Sequence, residues 1–126
     1  MGNYLVLQTD FGLVDGAVSA MYGVAYTVNP KITIENLTHD IPPYDIWVAS
    51  YRLYQTFKYW PVGTVFVSVV DPGVGSERKS VVAKTKSGHY IITPDNGSLT
   101  HIAHYDGLEE VRLIDEVKSR LPHSEE

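Results

Sequence analysis

An α/β layered domain, with a mostly parallel central sheet flanked by helices plus a hairpin, is the fold class this sequence predicts. Three observations carry that expectation. Apolar runs of strand character alternate with helically spaced segments through the first 70 residues, the order from which parallel sheets are built. Thr64-Val65-Phe66-Val67-Ser68-Val69-Val70 is nearly continuous in apolar residues, as expected for a central strand buried on both faces. Two further strand-like runs, Ser80 to Thr85 and His89 to Thr93, flank Lys86-Ser87-Gly88, a hairpin signature.

Each element follows from local chemistry. Tyr4-Leu5-Val6-Leu7 reads as a first buried strand, stopped by Thr9-Asp10-Phe11-Gly12. Apolar residues at 14, 17, 18, 21, 24, 25 and 28 recur at helical spacing, and Asn29-Pro30 ends that helix. Gly16 and Gly23 lower its intrinsic propensity, so packing on the sheet must support it. Ile32 to Leu37 alternates as a second strand. Pro42-Pro43 forces a loop, and Asp45 can cap a helix running to about Phe57. After the central strand and the hairpin, Asn96-Gly97 precedes a short helix over Leu99 to His104, and Leu108 to Ile114 supplies another strand. Residues 1–115 form the expected α/β domain; 116–126, charged and interrupted by Pro122, read as a linker or tail.

Composition narrows the function classes. With 44% hydrophobic and 20% charged residues the 126-residue chain suits one soluble domain with a real core. A net charge of -5, with the lysines scattered, argues against nucleic acid as the main partner and suits a small molecule. The absence of cysteine excludes a disulfide framework, a thiolate metal site and a cysteine nucleophile. No signal-peptide pattern or membrane-length apolar run occurs, so a cytoplasmic location without membrane contact is expected. Nine tyrosines are many for this length; Tyr51, Tyr54 and Tyr59, with Trp47 and Trp60, suit either core or a surface for another chain.

The chemistry concentrates in turns after strands. Asp10, Asp40 and Asp71 follow the first three predicted strands, whose carboxyl ends share one edge in a parallel sheet. An ionised aspartate there can accept both hydroxyls of a ribose, although aspartate also fills turns by bonding nearby amides. Asp71-Pro72-Gly73-Val74-Gly75 is followed by Arg78, and Pro94-Asp95-Asn96-Gly97 adds a third polar turn. A carboxylate and a fixed guanidinium brought together at a strand end can orient a polar reactant. No dinucleotide, P-loop or nucleophile-elbow fingerprint is present. His101 and His104, three apart, read as solvent-facing rather than metal ligands. His39, beside Asp40, is a candidate acid/base residue with no partner legible in sequence.

Taken together, Thr9-Asp10-Phe11-Gly12, His39-Asp40-Ile41-Pro42-Pro43-Tyr44-Asp45, Gly63-Thr64-Val65-Phe66, Asp71-Pro72-Gly73-Val74-Gly75 and Pro94-Asp95-Asn96-Gly97 resemble the S-adenosylmethionine (SAM) hydroxide adenosyltransferases. These adenosine-forming SAM hydrolases are relatives of the fluorinases and chlorinases. The resemblance implies hydrolysis of SAM to adenosine and methionine by attack of water or hydroxide at ribose C5′, with no cofactor and no metal. It assigns Asp71 and Arg78 to the catalytic water, Asp10 to the ribose hydroxyls, Asp15 and Gly16 to the methionine end, and Tyr44 to an aromatic packing on the ribose. The halogenating relatives lack the Asp-Pro-Gly-Val-Gly turn with its arginine, which favours water over a halide as nucleophile.

The same resemblance implies that this chain is the N-terminal domain only. The family's third catalytic member, a histidine in a Phe-His-Gly segment, and its C-terminal β-rich domain would follow residue 126. It further implies a homo-oligomer, a trimer in the family, for a full-length chain, and weak or no activity for these residues alone. Two alternatives are a non-catalytic nucleoside-binding or assembly module, and, lower, a metal-dependent phosphohydrolase using Asp10, Asp40 and Asp71.

Overall fold

The computed structural model describes residues 4–13, 16–70 and 79–114. Within them a six-stranded sheet is built from β1 (Tyr4–Thr9), β2 (Thr33–Thr38), β3 (Val65–Val69), β4 (Ser80–Thr85), β5 (Tyr90–Pro94) and β6 (Leu108–Leu113), in the order β2-β1-β3-β5-β4-β6. The pairs β1–β2, β1–β3 and β3–β5 are parallel, whereas β4 is antiparallel to both β5 and β6. The expected mostly parallel sheet is therefore present, with β4 as the reversed strand of the predicted hairpin. Its turn closes through Gly88 N–H to the Thr85 carbonyl at 3.0 Å. Gly88 sits at φ +90, a backbone conformation that favours glycine, and a Cβ there would also crowd Val62 Cγ1 at 2.8 Å.

Helix α1 (Ala17–Val28) follows β1, α2 (Ile46–Thr56) follows β2, and α3 (Thr100–Tyr105) follows β5. Asp45 is the N-cap of α2, its Oδ1 accepting the Val48 N–H at 3.0 Å, as its position before the apolar run predicted. A 3-10 turn, Phe57–Tyr59, extends that helix. Asn29 ends α1 in extended backbone, the conformation a following proline imposes.

The main core lies between the sheet and the α2/α3 layer. Val6, Leu53, Phe57, Phe66, Ile91 and Ile102 form it, with Tyr54 and Trp60 packed against its rim. Lys58 adds a 2.7 Å ion pair to Asp106 just past α3. The tyrosine-rich region divides: Tyr54 and Trp60 join the core edge, while Trp47, Tyr51 and Tyr59 stand exposed.

On the opposite face α1 packs over the β1–β2 edge, its Tyr22 hydroxyl accepting from Asn36 Nδ2 of β2 at 2.6 Å. Its apolar stripe is wider than the surface it covers. Val18 is buried, but Val24 is 47% and Val28 70% exposed. No helix among the described residues is long and apolar enough to cross a membrane. The tail, 116–126, lies outside the described residues.

Candidate functional site

The carboxyl ends of β2, β1, β3 and β5 converge on one sheet edge, since Gln8 pairs with Thr38, Thr9 with Val69, and Val67 with Ile92. Three polar turns meet there: Asp10 to Gly12 after β1, His39 to Tyr44 after β2, and Asp95 to Ser98 after β5. In such sheets this edge is where ligands are held. Val70 leaves β3 at the same edge. Asp15, Asp71 and Arg78, singled out from sequence, lie outside the described residues.

Asp10 is half-buried and reaches across to the next loop, where its Oδ2 accepts the backbone N–H of Tyr44 at 2.7 Å. Tyr44 has φ +64, the left-handed region, and is the one non-glycine residue so placed among those described. That backbone costs an L-residue roughly 1–2 kcal/mol and persists only where its surroundings hold it. Here the Asp10 carboxylate and the Asp45 N–H to Pro42 carbonyl bond, 2.9 Å, hold the Pro-Pro-Tyr-Asp turn. The Tyr44 side chain is 64% exposed, so its ring borders the edge rather than the core. A carboxylate has about four acceptor sites, so the Tyr44 contact leaves Asp10 able to take hydroxyls as well. Gly16, expected near the same loop, is the N-cap of α1 and has no side-chain cap bond.

The turn after β5 ties down the neighbouring chain. Asn96 Nδ2 donates to the Val70 carbonyl at 2.8 Å, while its Oδ1 accepts from the Ser98 N–H at 3.1 Å and the Ser98 hydroxyl at 2.7 Å. The Asp95 N–H donates to the Lys79 carbonyl at 2.8 Å. The two residues bordering 71–78 are thus both held by one Asp-Asn pair. Nothing in the local sequence marks Asn96 as more than a turn former; only the strand order β3-β5-β4 puts it between Val70 and Lys79.

His39 is buried and has partners that sequence did not reveal. Its Nδ1 lies 2.8 Å from Thr9 Oγ1, its Nε2 lies 2.7 Å from Asn36 Oδ1, and its carbonyl accepts the Gly12 N–H at 2.8 Å. Burial lowers its pKa below the ordinary 6.5, and the adjacent Asp40 only partly offsets this. His39 is a structural link between two site loops, whereas Asp40 is exposed.

His101 corrects the expectation of two solvent-facing histidines. It is 8% exposed, its Nδ1 bonds Ser50 Oγ at 2.7 Å, and Trp47 and Tyr51 pack against its ring edge-on. His104 is exposed as expected. Among the described residues no group of three or more His, Cys, Asp or Glu is placed to hold a metal.

The chain as a whole has known relatives. Residues 5–126 match the family model described as the SAM hydroxide adenosyltransferase N-terminal domain. The (R)-S-adenosyl-L-methionine hydrolase of Methanocaldococcus jannaschii is 41% identical over 116 residues, covering 89% of this chain and 44% of that protein. A fluorinase from Actinoplanes is 25% identical, covering 93% of this chain and 47% of its own length. An uncharacterized conserved protein from Thermotoga maritima, solved by crystallography, superposes with a TM-score of 0.87 at 38% identity over 90% of this chain and 44% of the other. The chain spans less than half the length of these relatives.

Proposed function

This chain belongs to the SAM hydroxide adenosyltransferase family through that N-terminal domain, and from this premise we propose that it is the part of a SAM hydrolase that grips the nucleoside and positions the attacking water. The observation that carries the reading is the Asp10–Tyr44 contact at the strand edge. It joins a carboxylate suited to the ribose hydroxyls with an exposed aromatic suited to the sugar face.

In this reading water or hydroxide attacks ribose C5′. The C5′–S bond breaks with its electron pair passing to sulfur, so the sulfonium leaves as the neutral thioether of methionine. A neutral leaving group needs neither a general acid nor a Lewis acid. What remains for the protein is to dehydrate, orient and polarise one water in line with C–S. Asp71 and Arg78 are assigned that role by the resemblance of the Asp71-Pro72-Gly73-Val74-Gly75 turn and its following arginine to the family's, Asp71 accepting the hydrogen bond of the water and the proton it releases. Asp15 and Gly16 border the methionine end. A carboxylate at 71 disfavours a halide nucleophile by like-charge repulsion, which sets this chain apart from its halogenating relatives. SAM is then the small-molecule substrate, the protein acts in the cytoplasm, and the full-length form assembles as a homo-oligomer.

Incubation with SAM, with adenosine followed by chromatography, tests the proposal. We expect little or no release from these 126 residues and clear release once the chain is extended to its relatives' length. Absence of adenosine from the extended form overturns the reading. So does loss of activity on adding a chelator, which favours the phosphohydrolase instead.

A further inference from the structure

Thr9, His39, Asn36 and Tyr22 form one chain of hydrogen bonds from the end of β1 to α1, and its direction can be assigned. Asn36 Nδ2 donates to the Tyr22 hydroxyl at 2.6 Å, which leaves the amide oxygen, an acceptor only, facing His39 Nε2 at 2.7 Å. Nε2 therefore carries the hydrogen, and Nδ1 of the neutral ring is an acceptor. The Thr9 hydroxyl donates to it at 2.8 Å and accepts the Phe11 N–H at 3.1 Å. In this direction Thr9 and Asn36 each serve as donor and acceptor at once. Reversing it would leave the Thr9 hydroxyl hydrogen without an acceptor in the chain.

The network brackets Asp10. Thr9, on one side, is held by the ring; Phe11, on the other, is held by Thr9; and Gly12 is bound to the His39 carbonyl at 2.8 Å. Thr9 is fully buried and His39 nearly so, so water cannot replace a lost partner cheaply. We propose that His39, as the neutral Nε2–H tautomer, is a positioning residue for nucleoside binding, setting the Thr9 hydroxyl and through it the Asp10 loop. The proposal rests on the ribose role of Asp10 given above.

Protonation at Nδ1 would make the ring the donor to Thr9 Oγ1, so the Thr9 hydroxyl hydrogen would have to turn away and lose its acceptor in the chain. The groups that bear on this equilibrium are Asp40 beside the ring, Asp10 on the β1 loop and the Tyr22 hydroxyl of α1 reached through Asn36. Asp40 favours the charged ring and burial opposes it more strongly.

Adenosine affinity measured by calorimetry at about pH 8 and at descending pH through and below the ordinary histidine pKa of about 6.5, because burial places that of His39 lower, provides the test. His39→Ala should weaken binding about tenfold at the higher pH, the effect of one buried hydrogen bond. His39→Asn keeps an acceptor near the Nδ1 position, so it should restore the affinity and abolish the weakening that the wild type shows toward acid. Wild-type affinity in His39→Ala, or an unchanged pH dependence in His39→Asn, overturns the proposal. Asp10→Ala separates the two readings: unchanged affinity there removes the ribose role itself, whereas lost affinity with an inert His39→Ala removes only the positioning role. Phe11 amide exchange, which needs no ligand, should accelerate in His39→Ala and not in His39→Asn; equal rates in all three proteins also overturn it.

Discussion

The Asp10 carboxylate accepts the Tyr44 backbone N–H at 2.7 Å across 34 residues of sequence. One bond thereby joins the loop after β1 to a turn that holds a tyrosine in the left-handed region at φ +64. The acid is already ordered before any ligand arrives, so less side-chain entropy remains to be lost when a sugar binds. The same relationship makes each partner separately testable.

Replacing Asp10 by Ala should weaken adenosine binding by about tenfold to a hundredfold, the range expected for a charge-assisted hydrogen bond of about 1.5–3 kcal/mol. Calorimetric titration checks this. Asp10→Asn should fall between the two, since an amide keeps one acceptor.

Tyr44→Gly should separate stability from binding. Glycine adopts φ +64 without the roughly 1–2 kcal/mol penalty of a side chain, partly offset by its greater freedom when unfolded. The melting temperature should therefore hold or rise by a few degrees, while adenosine binds more weakly for want of the ring. A fall in both would show that the tyrosine side chain is structural.

Asn96→Ala leaves the carbonyl of the fully buried Val70 without its 2.8 Å donor. A buried acceptor so stranded costs about 1–3 kcal/mol, readable as a lower urea midpoint with an unchanged slope. In an active extended form the same change should lower the turnover rate more than it weakens adenosine binding, because Asn96 borders the segment bearing Asp71 and Arg78.

In that extended form Asp71→Asn and Arg78→Ala should each lower the rate of adenosine release far more than they lower adenosine affinity. Steady-state kinetics beside equilibrium titration make the comparison. Equal losses in both would remove the water-positioning assignment.

His39 gives a pH prediction of definite sign. Its folded pKa lies below the ordinary 6.5, so between those two values the unfolded chain binds more protons than the folded one. Stability is then complete above pH 6.5 and is lost as pH falls through the window down to the folded value. Urea midpoints should decline over that range in the wild type and less steeply in His39→Asn.

Features decided within a few residues of chain are legible in the sequence itself. The Asp45 cap depends on Val48 three residues on, and the hairpin on the glycine at 88. The alternation of strands and helices announces the layers in the same way, and the combination of short turn motifs points to the family. His101 misleads because its partner, Ser50, lies 51 positions away, and the aromatic wall around it comes mainly from α2. The α1 stripe misleads for a related reason: spacing reports which side of a helix is apolar, not how much sheet lies beneath it.

By itself, then, the order of residues determined the elements, the Asp45 cap and the hairpin turn, and it nominated Asp10 and, through the family resemblance, Tyr44. Tertiary structure alone decided that the Asp10 carboxylate meets the Tyr44 amide, that His39 is locked between Thr9 and Asn36, and that Asn96 reaches Val70. Helix and turn preferences are set by bonds a few residues apart, which a linear reading contains. Contacts between strand ends depend on which strands pair and in what register, and that is settled only when the whole sheet buries its apolar faces together.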